Sequence, residues 1–253
     1  MKATIKLSAP DWCFFKGNVA AGEYYQRIKD MGVKGVEMVD PARWPVARKA
    51  GLAILNLCGP GMTSGLNRVE RHGEILPGIR KAIGEAKATG IGHVIVFSGN
   101  REGQGDKVGI ANCIKGLKAV VPDAEKAGVT LVFEMLNSAD HVDYQADRSA
   151  YGFAVARGLN SPAVKVVYDI YHMHRMGEQT QDDILANLDI IAHIHVAETP
   201  RRTIPVAKGE IDYRKIVKAV RKAGYAGYWG LEFVPQGDAL AEVAAACKLF
   251  QSF

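Results

Sequence analysis

The sequence has no pair of closely spaced cysteines. Its 253 residues include four cysteines that lie far apart and form no CxxC motif: Cys13, Cys58, Cys113 and Cys247. Isolated cysteines of this kind are typical of free, buried thiols in a reducing compartment. The start of the chain also lacks a secretion signal, and no stretch approaches the roughly 20 apolar residues that cross a bilayer. We therefore expect a cytoplasmic protein with no membrane partner.

Charge of one sign is not concentrated anywhere along the chain. The formal net charge is +5, and lysine and arginine are scattered instead of forming a block or a tail. A solvated surface with a mild basic excess accounts best for this pattern, an anionic substrate comes second, and a nucleic acid comes third. We predict a small-molecule substrate and no nucleic-acid partner. Because no linker or low-complexity segment interrupts the sequence, residues 1–253 are predicted to form one domain.

Short apolar runs rich in strand-forming residues recur along the chain. They lie at residues 4–7, 35–39, 52–57, 93–97, 129–134, 164–169, 191–196 and 228–233. The segments between them have helical periodicity, and strand–helix alternation predicts a parallel sheet. Glycines at 32, 51, 90, 128, 158 and 224 lie near the ends of the helical runs, where glycine commonly closes a helix. Long polar loops follow several strands, which places a site at the strands' carboxyl ends.

The alternative to a barrel is a doubly wound open sheet. Such a sheet usually has a glycine-rich phosphate turn after its first strand, and the segment 8–17 has none. Eight units in this length average about 32 residues each, which is typical of a (β/α)8 barrel. The predicted fold is therefore α/β, a (β/α)8 TIM barrel of one domain.

The last four predicted strands end with a side chain that can bind a metal. These residues are Glu134, Asp169, His195 and Glu232, separated by 35, 26 and 37 positions, each about one barrel unit. Three carboxylates at buried strand ends would repel one another unless a cation compensates their charge. Three oxygen ligands and one nitrogen ligand suit Mn²⁺, Mg²⁺, Co²⁺ or Zn²⁺. The sequence predicts one bound divalent metal ion.

Polar residues near these strand ends are candidates for substrate binding. His172 follows Asp169 by three positions, and a second group follows His195: Glu198, Arg201 and Arg202. An arginine could grip a carboxylate or hydroxyl, although ordinary loop polarity explains such residues equally simply.

Three further positions have weaker signals. Glu37 ends the second predicted strand and is a candidate either for substrate contact or for a structural role. Trp12 follows the first strand, and core packing is favoured for it over the alternative of an apolar wall over a sugar. His193 is expected to point away from His195 and the interior.

Five motifs resemble the xylose isomerase-like barrel superfamily, and within it hydroxypyruvate isomerases and their relatives. They are FEMLN at 133–137, YDIYHM at 168–173, HIHVAE at 193–198, GEIDY at 209–213 and GLEFVP at 230–235. The resemblance covers about residues 12–235, and ketose 3-epimerases share the same frame. It implies that Glu134, Asp169, His195 and Glu232 bind one divalent ion. It also implies that Glu134 and Glu232 exchange protons with the substrate, that His172 and an arginine contact it, and that the protein could form a homo-oligomer.

The resemblance implies an isomerase or epimerase of a small hydroxy-carbonyl compound, hydroxypyruvate or a ketose. Three departures lie where substrate would sit: His195 stands where hydroxypyruvate isomerases often have glutamine, and PRRT at 200–203 and GPGM at 59–62 replace the usual motifs. Two alternatives stay open, a metal-dependent dehydratase of a keto-inositol or keto-sugar and a non-catalytic sugar-binding barrel. A multi-zinc endonuclease of the same superfamily is disfavoured because the second and third strands supply no histidine.

Overall fold

The computed structural model describes residues 5–253. The chain divides into two compact units, one formed by residues 1–55 with 193–253 and the other by residues 56–192. Within each unit the described strand pairings are all parallel. The helices connect successive strands, which is the arrangement that the alternating sequence pattern predicts.

The first unit contains five strands in the order β3-β2-β1-β9-β8. They are β1 Lys6–Pro10, β2 Val33–Glu37, β3 Ala53–Ile54, β8 Ile191–Val196 and β9 Tyr228–Leu231, with β8 entering the unit at His193. Its helices are α1 Asp11–Phe14, α2 Ala21–Asp30, α3 Trp44–Lys49, α10 Tyr213–Lys222 and α11 Ala239–Gln251, with a 3-10 turn at Pro41–Arg43.

Helix α10 shows how the sequence specifies these elements. Tyr213, Ile216, Val217 and Val220 recur at helical spacing and are buried, whereas the opposite face is basic. Asp212 precedes the helix, and its side chain accepts a hydrogen bond from the backbone N–H of Lys215 at 2.9 Å. This N-terminal cap satisfies a donor that the helix itself leaves unpaired.

The second unit contains four strands in the order β7-β6-β5-β4. They are β4 Asn56–Cys58, β5 His93–Phe97, β6 Thr130–Glu134 and β7 Val164–Asp169. Its helices are α4 His72–Thr89, α5 Asp106–Lys118, α6 Val121–Ala127, α7 Ser149–Leu159, α8 Ile170–Arg175 and α9 Thr180–Ala186, with 3-10 turns at Val69–Arg71 and Leu188–Ile190. The interior of these strands is almost continuously apolar and buried, as parallel strands covered on both faces require.

Several strand boundaries differ from the predicted ones. Thr4, in the first predicted strand, lies outside the described residues, and β1 continues to Pro10. Strand β2 begins and ends two residues earlier than predicted, because Met38 adopts a left-handed backbone with φ of 50° directly after it. The last strand stops at Leu231, so Glu232 follows the strand.

The third predicted strand is divided into two. Strand β3 pairs with β2, and β4 pairs with β5, with Leu55 between them. The backbone N–H of Leu55 still donates to the carbonyl of Val36 at 3.0 Å. A single apolar run cannot reveal this change of pairing partner, because its hydrophobicity is the same on both sides of the break.

The prediction that a glycine ends a helix is correct where that glycine has a left-handed backbone conformation. Gly90 and Gly128 follow α4 and α6 with φ of 71° and 67°. The prediction for Gly158 is wrong: it lies inside α7, and Asn160 adopts the left-handed conformation that ends this helix. Asparagine tolerates that conformation because its short polar side chain can compensate locally.

Between residues 5 and 253, no helix combines the length and the apolar character that a membrane span requires.

We predict that Gly65→Ala destabilises the protein. A Cβ atom at Gly65 would overlap the backbone carbonyl oxygens of Gly61 and Ser98, so the two loops after β4 and β5 would have to separate. Overpacking of this kind typically costs about 1–3 kcal/mol in the free energy of unfolding, measurable by urea denaturation. Gly84→Ala is the control, because a Cβ there meets nothing within 4 Å and alanine favours the helix interior. Equal stability of the two variants would contradict the prediction.

Candidate active site

The first unit contains a buried group of one carboxylate and two imidazoles. Glu37 ends β2, and its Oε2 lies 2.9 Å from Nε2 of His195. Its Oε1 lies 3.0 Å from Nε2 of His193 and accepts a hydrogen bond from the Ser8 hydroxyl at 2.7 Å. Burial alone would raise the pKa of Glu37, but His193 and His195 hold it well below its usual range. Glu37 is therefore an ionised, fully enclosed carboxylate.

The expectation that His193 points away from His195 is wrong. The two rings lie with their centroids 4.7 Å apart, and both face Glu37. Alternate residues of a strand share one face of the sheet, so positions 193 and 195 must point the same way. The alternation of side chains along a strand therefore predicts that His193 lies on the same face as His195.

Gly230 on β9 allows the group to form. A Cβ atom at this position would lie 2.5 Å from both Oε1 of Glu37 and Cδ2 of His195. The side chains of Glu37, His193 and His195 thus occupy the space that a larger residue at position 230 would need.

Glu232 lies directly beyond β9 and has both carboxylate oxygens bound. Oε1 accepts from the indole N–H of Trp12 at 3.1 Å, and Oε2 lies 2.9 Å from Nδ1 of His195. Arg202 donates to the same Oε2 at 2.5 Å and to the backbone carbonyl of Glu232 at 3.1 Å. Burial would raise the pKa of Glu232, but His195 and Arg202 outweigh it and keep that pKa below its usual range.

Trp12 does not pack in the core as expected. It is 44% exposed, and the Arg202 guanidinium lies over its ring at 5.2 Å. An amphipathic ring with one polar atom can serve both contacts, stacking on a cation and donating to a carboxylate. This role could not be predicted from the sequence, because it depends on a contact between residues 220 positions apart.

The three candidate residues in the turn after β8 have different surroundings. Arg202, with a left-handed φ of 54°, contacts Glu232, whereas Arg201 is exposed to solvent. Glu198 is buried and accepts the backbone N–H groups of Thr199 and Ile211, so it holds this loop together. Burial is also the main reason that the pKa of Glu198 is raised.

In the second unit, Glu134 and Asp169 end neighbouring parallel strands and are both buried. Asp169 also caps the helix that follows it, since its Oδ1 accepts from the N–H groups of Tyr171 and His172 at 2.8 and 3.3 Å. A capping carboxylate keeps one oxygen for the helix and can offer the other to a ligand.

His172 is fully buried, and its hydrogen-bond partners fix its tautomer. The backbone N–H of Asn137 donates to Nδ1 at 3.2 Å. A backbone N–H can only donate, so Nδ1 must be the unprotonated nitrogen, and Nε2 carries the hydrogen. That Nε2 lies 3.6 Å from Oδ2 of Asp169. His172 is therefore suited to donate a hydrogen bond beside Asp169.

Asn137 and Asp140 were not singled out as site residues by the sequence. The Asn137 side chain donates to Asp140 at 2.9 Å, and the Tyr171 hydroxyl donates to the same oxygen at 2.5 Å. Burial would raise the pKa of Asp140, but these two hydrogen bonds and Arg175 lower it. The N-x-x-D spacing at 137–140, which favours a turn closed by side-chain hydrogen bonds, is the signal that could have identified the pair.

The four predicted metal ligands are all buried. In the first unit, Nδ1 of His195 lies 2.9 Å from Oε2 of Glu232. In the second unit, Glu134 and Asp169 end the neighbouring strands β6 and β7. Carboxylates and an imidazole are common ligands of small divalent cations, so the donor types in each unit fit such an ion.

The family model described as xylose isomerase-like TIM barrel matches residues 25–252. The chain belongs to this family. A putative hydroxypyruvate isomerase of Homo sapiens is 24% identical over 234 residues, covering 84% of each chain. Hydroxypyruvate isomerase of Escherichia coli strain K12 is also 24% identical, covering 85% of this chain and 90% of the relative.

Two solved structures confirm the fold. A family 2 AP endonuclease from Brucella melitensis has a TM-score of 0.85 at 21% identity, covering 95% of this chain and 97% of its own. The 3-keto-D-glucoside 4-epimerase of Escherichia coli has a TM-score of 0.81 at 19% identity, covering 98% and 100%. The TIM-barrel prediction is confirmed, and the relatives confirm an enzyme of the isomerase or epimerase type. The single domain and the roles of the site residues stay predictions.

We predict that Arg202→Met destabilises the metal-free protein by about 3 kcal/mol, because it leaves the buried Glu232 carboxylate without its guanidinium partner. Urea unfolding at neutral pH measures this loss. The matched control is Arg201→Met, which changes an exposed neighbour in the same turn and should stay within about 0.5 kcal/mol of wild type. Similar losses in the two variants would show that the contact of Arg202 with Glu232 contributes nothing specific.

Proposed function

We propose that the protein is a divalent-metal-dependent isomerase or epimerase of a small hydroxy-carbonyl compound, either hydroxypyruvate or a ketose. The observation that carries this proposal is the buried pair of His195 and Glu232 in the first unit, with Nδ1 and Oε2 2.9 Å apart. The buried carboxylates Glu134 and Asp169, which end neighbouring strands of the second unit, supply the other two proposed ligands. The names of similar proteins support the substrate class: hydroxypyruvate isomerase, 2-oxo-tetronate isomerase and D-psicose 3-epimerase.

Three carboxylates and one imidazole would hold the metal in this proposal. When bound, a divalent cation polarises a substrate carbonyl and stabilises the negative charge that develops on neighbouring oxygens. Mn²⁺, Mg²⁺, Co²⁺ and Zn²⁺ all accept this mixture of ligands. The metal would also neutralise part of the charge that the buried carboxylates bring together.

The two glutamates would move the protons. One carboxylate takes the proton from the carbon that carries the hydroxyl group, which leaves an ene-diolate. The same or the other glutamate then returns a proton. Delivery to the adjacent carbon, together with transfer of the hydroxyl proton to the former carbonyl oxygen, completes an isomerisation. Delivery to the opposite face of the original carbon completes an epimerisation. Glu232 is suited to accept a proton, because Arg202 and His195 favour its ionised form.

His172 and Arg202 would support the reaction without exchanging protons themselves. The Nε2–H of His172 would donate to a substrate oxygen, since Asn137 occupies the other ring nitrogen. Arg202 would orient Glu232 through its contacts with the carboxylate and with the backbone carbonyl. A base that is already oriented toward the substrate lowers the entropic cost of reaching the reactive geometry. This effect accounts for a large part of the rate enhancement by enzymes.

We expect Glu134→Gln and Glu232→Gln each to abolish turnover while the protein stays folded. Losing a general acid–base group typically lowers the rate about 10²–10⁴-fold, and losing a metal ligand adds to this. Steady-state kinetics measure the loss, and circular dichroism checks the fold. Glu23→Gln, which changes an exposed carboxylate of a surface ion pair with Arg27, is the control and should keep full activity. Substantial turnover in both site variants would sink the assignment.

A substrate screen tests the reaction class. Protein stripped with a chelator should be inactive, and Mn²⁺, Mg²⁺ or Co²⁺ should restore conversion of hydroxypyruvate or of a ketose. In D₂O the product should carry deuterium on the carbon that receives the proton, which mass spectrometry detects. Loss of water from a keto-sugar or keto-inositol would instead identify a dehydratase. Equal activity before and after chelation would refute the metal dependence.

A further inference from the structure

Glu37 is the one carboxylate of the described site residues that solvent does not reach at all. Its Oε1 receives the Ser8 hydroxyl and faces Nε2 of His193, and its Oε2 faces Nε2 of His195. Both oxygens therefore have protein partners, and the side chain is 0% exposed. A role in substrate contact, one of the two alternatives that the sequence left open, has no accessible oxygen to serve it.

We infer that Glu37 is a positioning residue, which holds the hydrogen of His195 on Nε2 and so directs Nδ1 to the metal. This inference rests on the proposed function, because it assigns a role toward the proposed cation. A histidine that binds a metal through one nitrogen usually donates from the other, and that second contact fixes both ring orientation and tautomer.

The geometry of His195 supports this role. Nε2 is 2.9 Å from Oε2 of Glu37, and Nδ1 is 2.9 Å from Oε2 of Glu232, so the two nitrogens face different carboxylates. The Ser8 hydroxyl donates to Oε1 of Glu37, and Nε2 of His195 lies at hydrogen-bonding distance from Oε2, so a hydrogen on Nε2 gives each oxygen of Glu37 a donor. A neutral ring with that hydrogen has its lone pair on Nδ1, on the side of Glu232, which is a proposed metal ligand.

The two oxygens of Glu37 have unequal partners, and this makes the role testable. Oε1 faces two groups, the Ser8 hydroxyl and Nε2 of His193, whereas Oε2 faces His195. In Glu37→Gln the amide oxygen is best placed on the side where the Ser8 hydroxyl donates. The amide NH₂ then faces His195, and because it donates, Nε2 must become the acceptor. The hydrogen would move to Nδ1, where it blocks metal binding.

Gly230 limits how the group can rearrange. A Cβ at 230 would lie 2.5 Å from both Glu37 and His195, so the ring already fills the space beside the strand. Because this packing gives the ring little room to turn, the contact with Glu37 acts on which nitrogen carries the hydrogen and not on the orientation of the ring.

Two measurements on Glu37→Gln test the inference. Isothermal titration of metal-free protein with Mn²⁺ should show affinity about 10–100-fold weaker than wild type, the usual cost of losing such a partner. Nitrogen NMR of ¹⁵N-histidine-labelled, metal-free protein should show that Nε2 of His195 loses its hydrogen, with His195→Gln used to assign the signals. Asp11→Asn is the matched control: it neutralises another buried carboxylate of the same unit, bound to Tyr25 and Arg43, and should leave both readouts unchanged.

The outcomes separate this inference from the proposed function. Wild-type affinity together with a retained hydrogen on Nε2 in Glu37→Gln overturns the role of Glu37. If wild type itself binds no Mn²⁺, the proposed function fails, and the NMR result alone then decides whether Glu37 orients His195. If Glu37→Gln does not fold, Glu37→Asp decides: its carboxylate is withdrawn by one methylene group, so Mn²⁺ affinity should fall, and unchanged affinity overturns the inference.

Discussion

The burial of negative charge is the constraint on which the rest of this site depends. Glu37, Glu134, Asp169 and Glu232 are all nearly or fully enclosed. An isolated ionised carboxylate in such surroundings costs several kcal/mol, so each one must have a compensating partner. The first unit supplies imidazoles, an arginine and an indole N–H, and the second supplies the N-terminus of a helix.

The partners come from elements whose positions the fold determines. Parallel strands all present their carboxyl ends at one edge, so a residue that ends a strand and a loop that follows it can be placed close to other such residues. Asp169 ends β7 and accepts a hydrogen bond from the backbone N–H of Tyr171 at the start of α8. Arg202 contacts Glu232 from the turn after β8. The chain thereby combines rigid strand ends, where the candidate ligands lie, with short turns, which carry groups that contact them.

Much of this arrangement could be predicted from the sequence, and the exceptions have physical reasons. Apolar runs and their spacing gave the strand–helix alternation, and the ends of four runs gave the candidate ligands, because both depend on local pattern. The contacts of Trp12 and Asn137 could not be found this way, since they join segments that only the folded chain brings together. The division between β3 and β4 was missed because hydrophobicity does not report a change of pairing partner. His193 was a different case, an error in applying strand alternation to a pattern that was present.

Charge balance also bears on the substrate that such a site would accept. In the proposed state the three carboxylate ligands and Glu37 contribute −4, a divalent ion +2 and Arg202 +1, which leaves −1 when His193 and His195 are neutral. A ketose carries no charge and leaves this sum unchanged. Hydroxypyruvate adds a carboxylate, and Arg202 is already bound to Glu232, so a further cation would have to meet the substrate. Arg201 is the nearest candidate along the chain, exposed in the same turn. Discrimination between the two substrate classes would then depend on whether that exposed arginine can reach the substrate. The proposed proton transfers by the two buried glutamates would be the same for both classes.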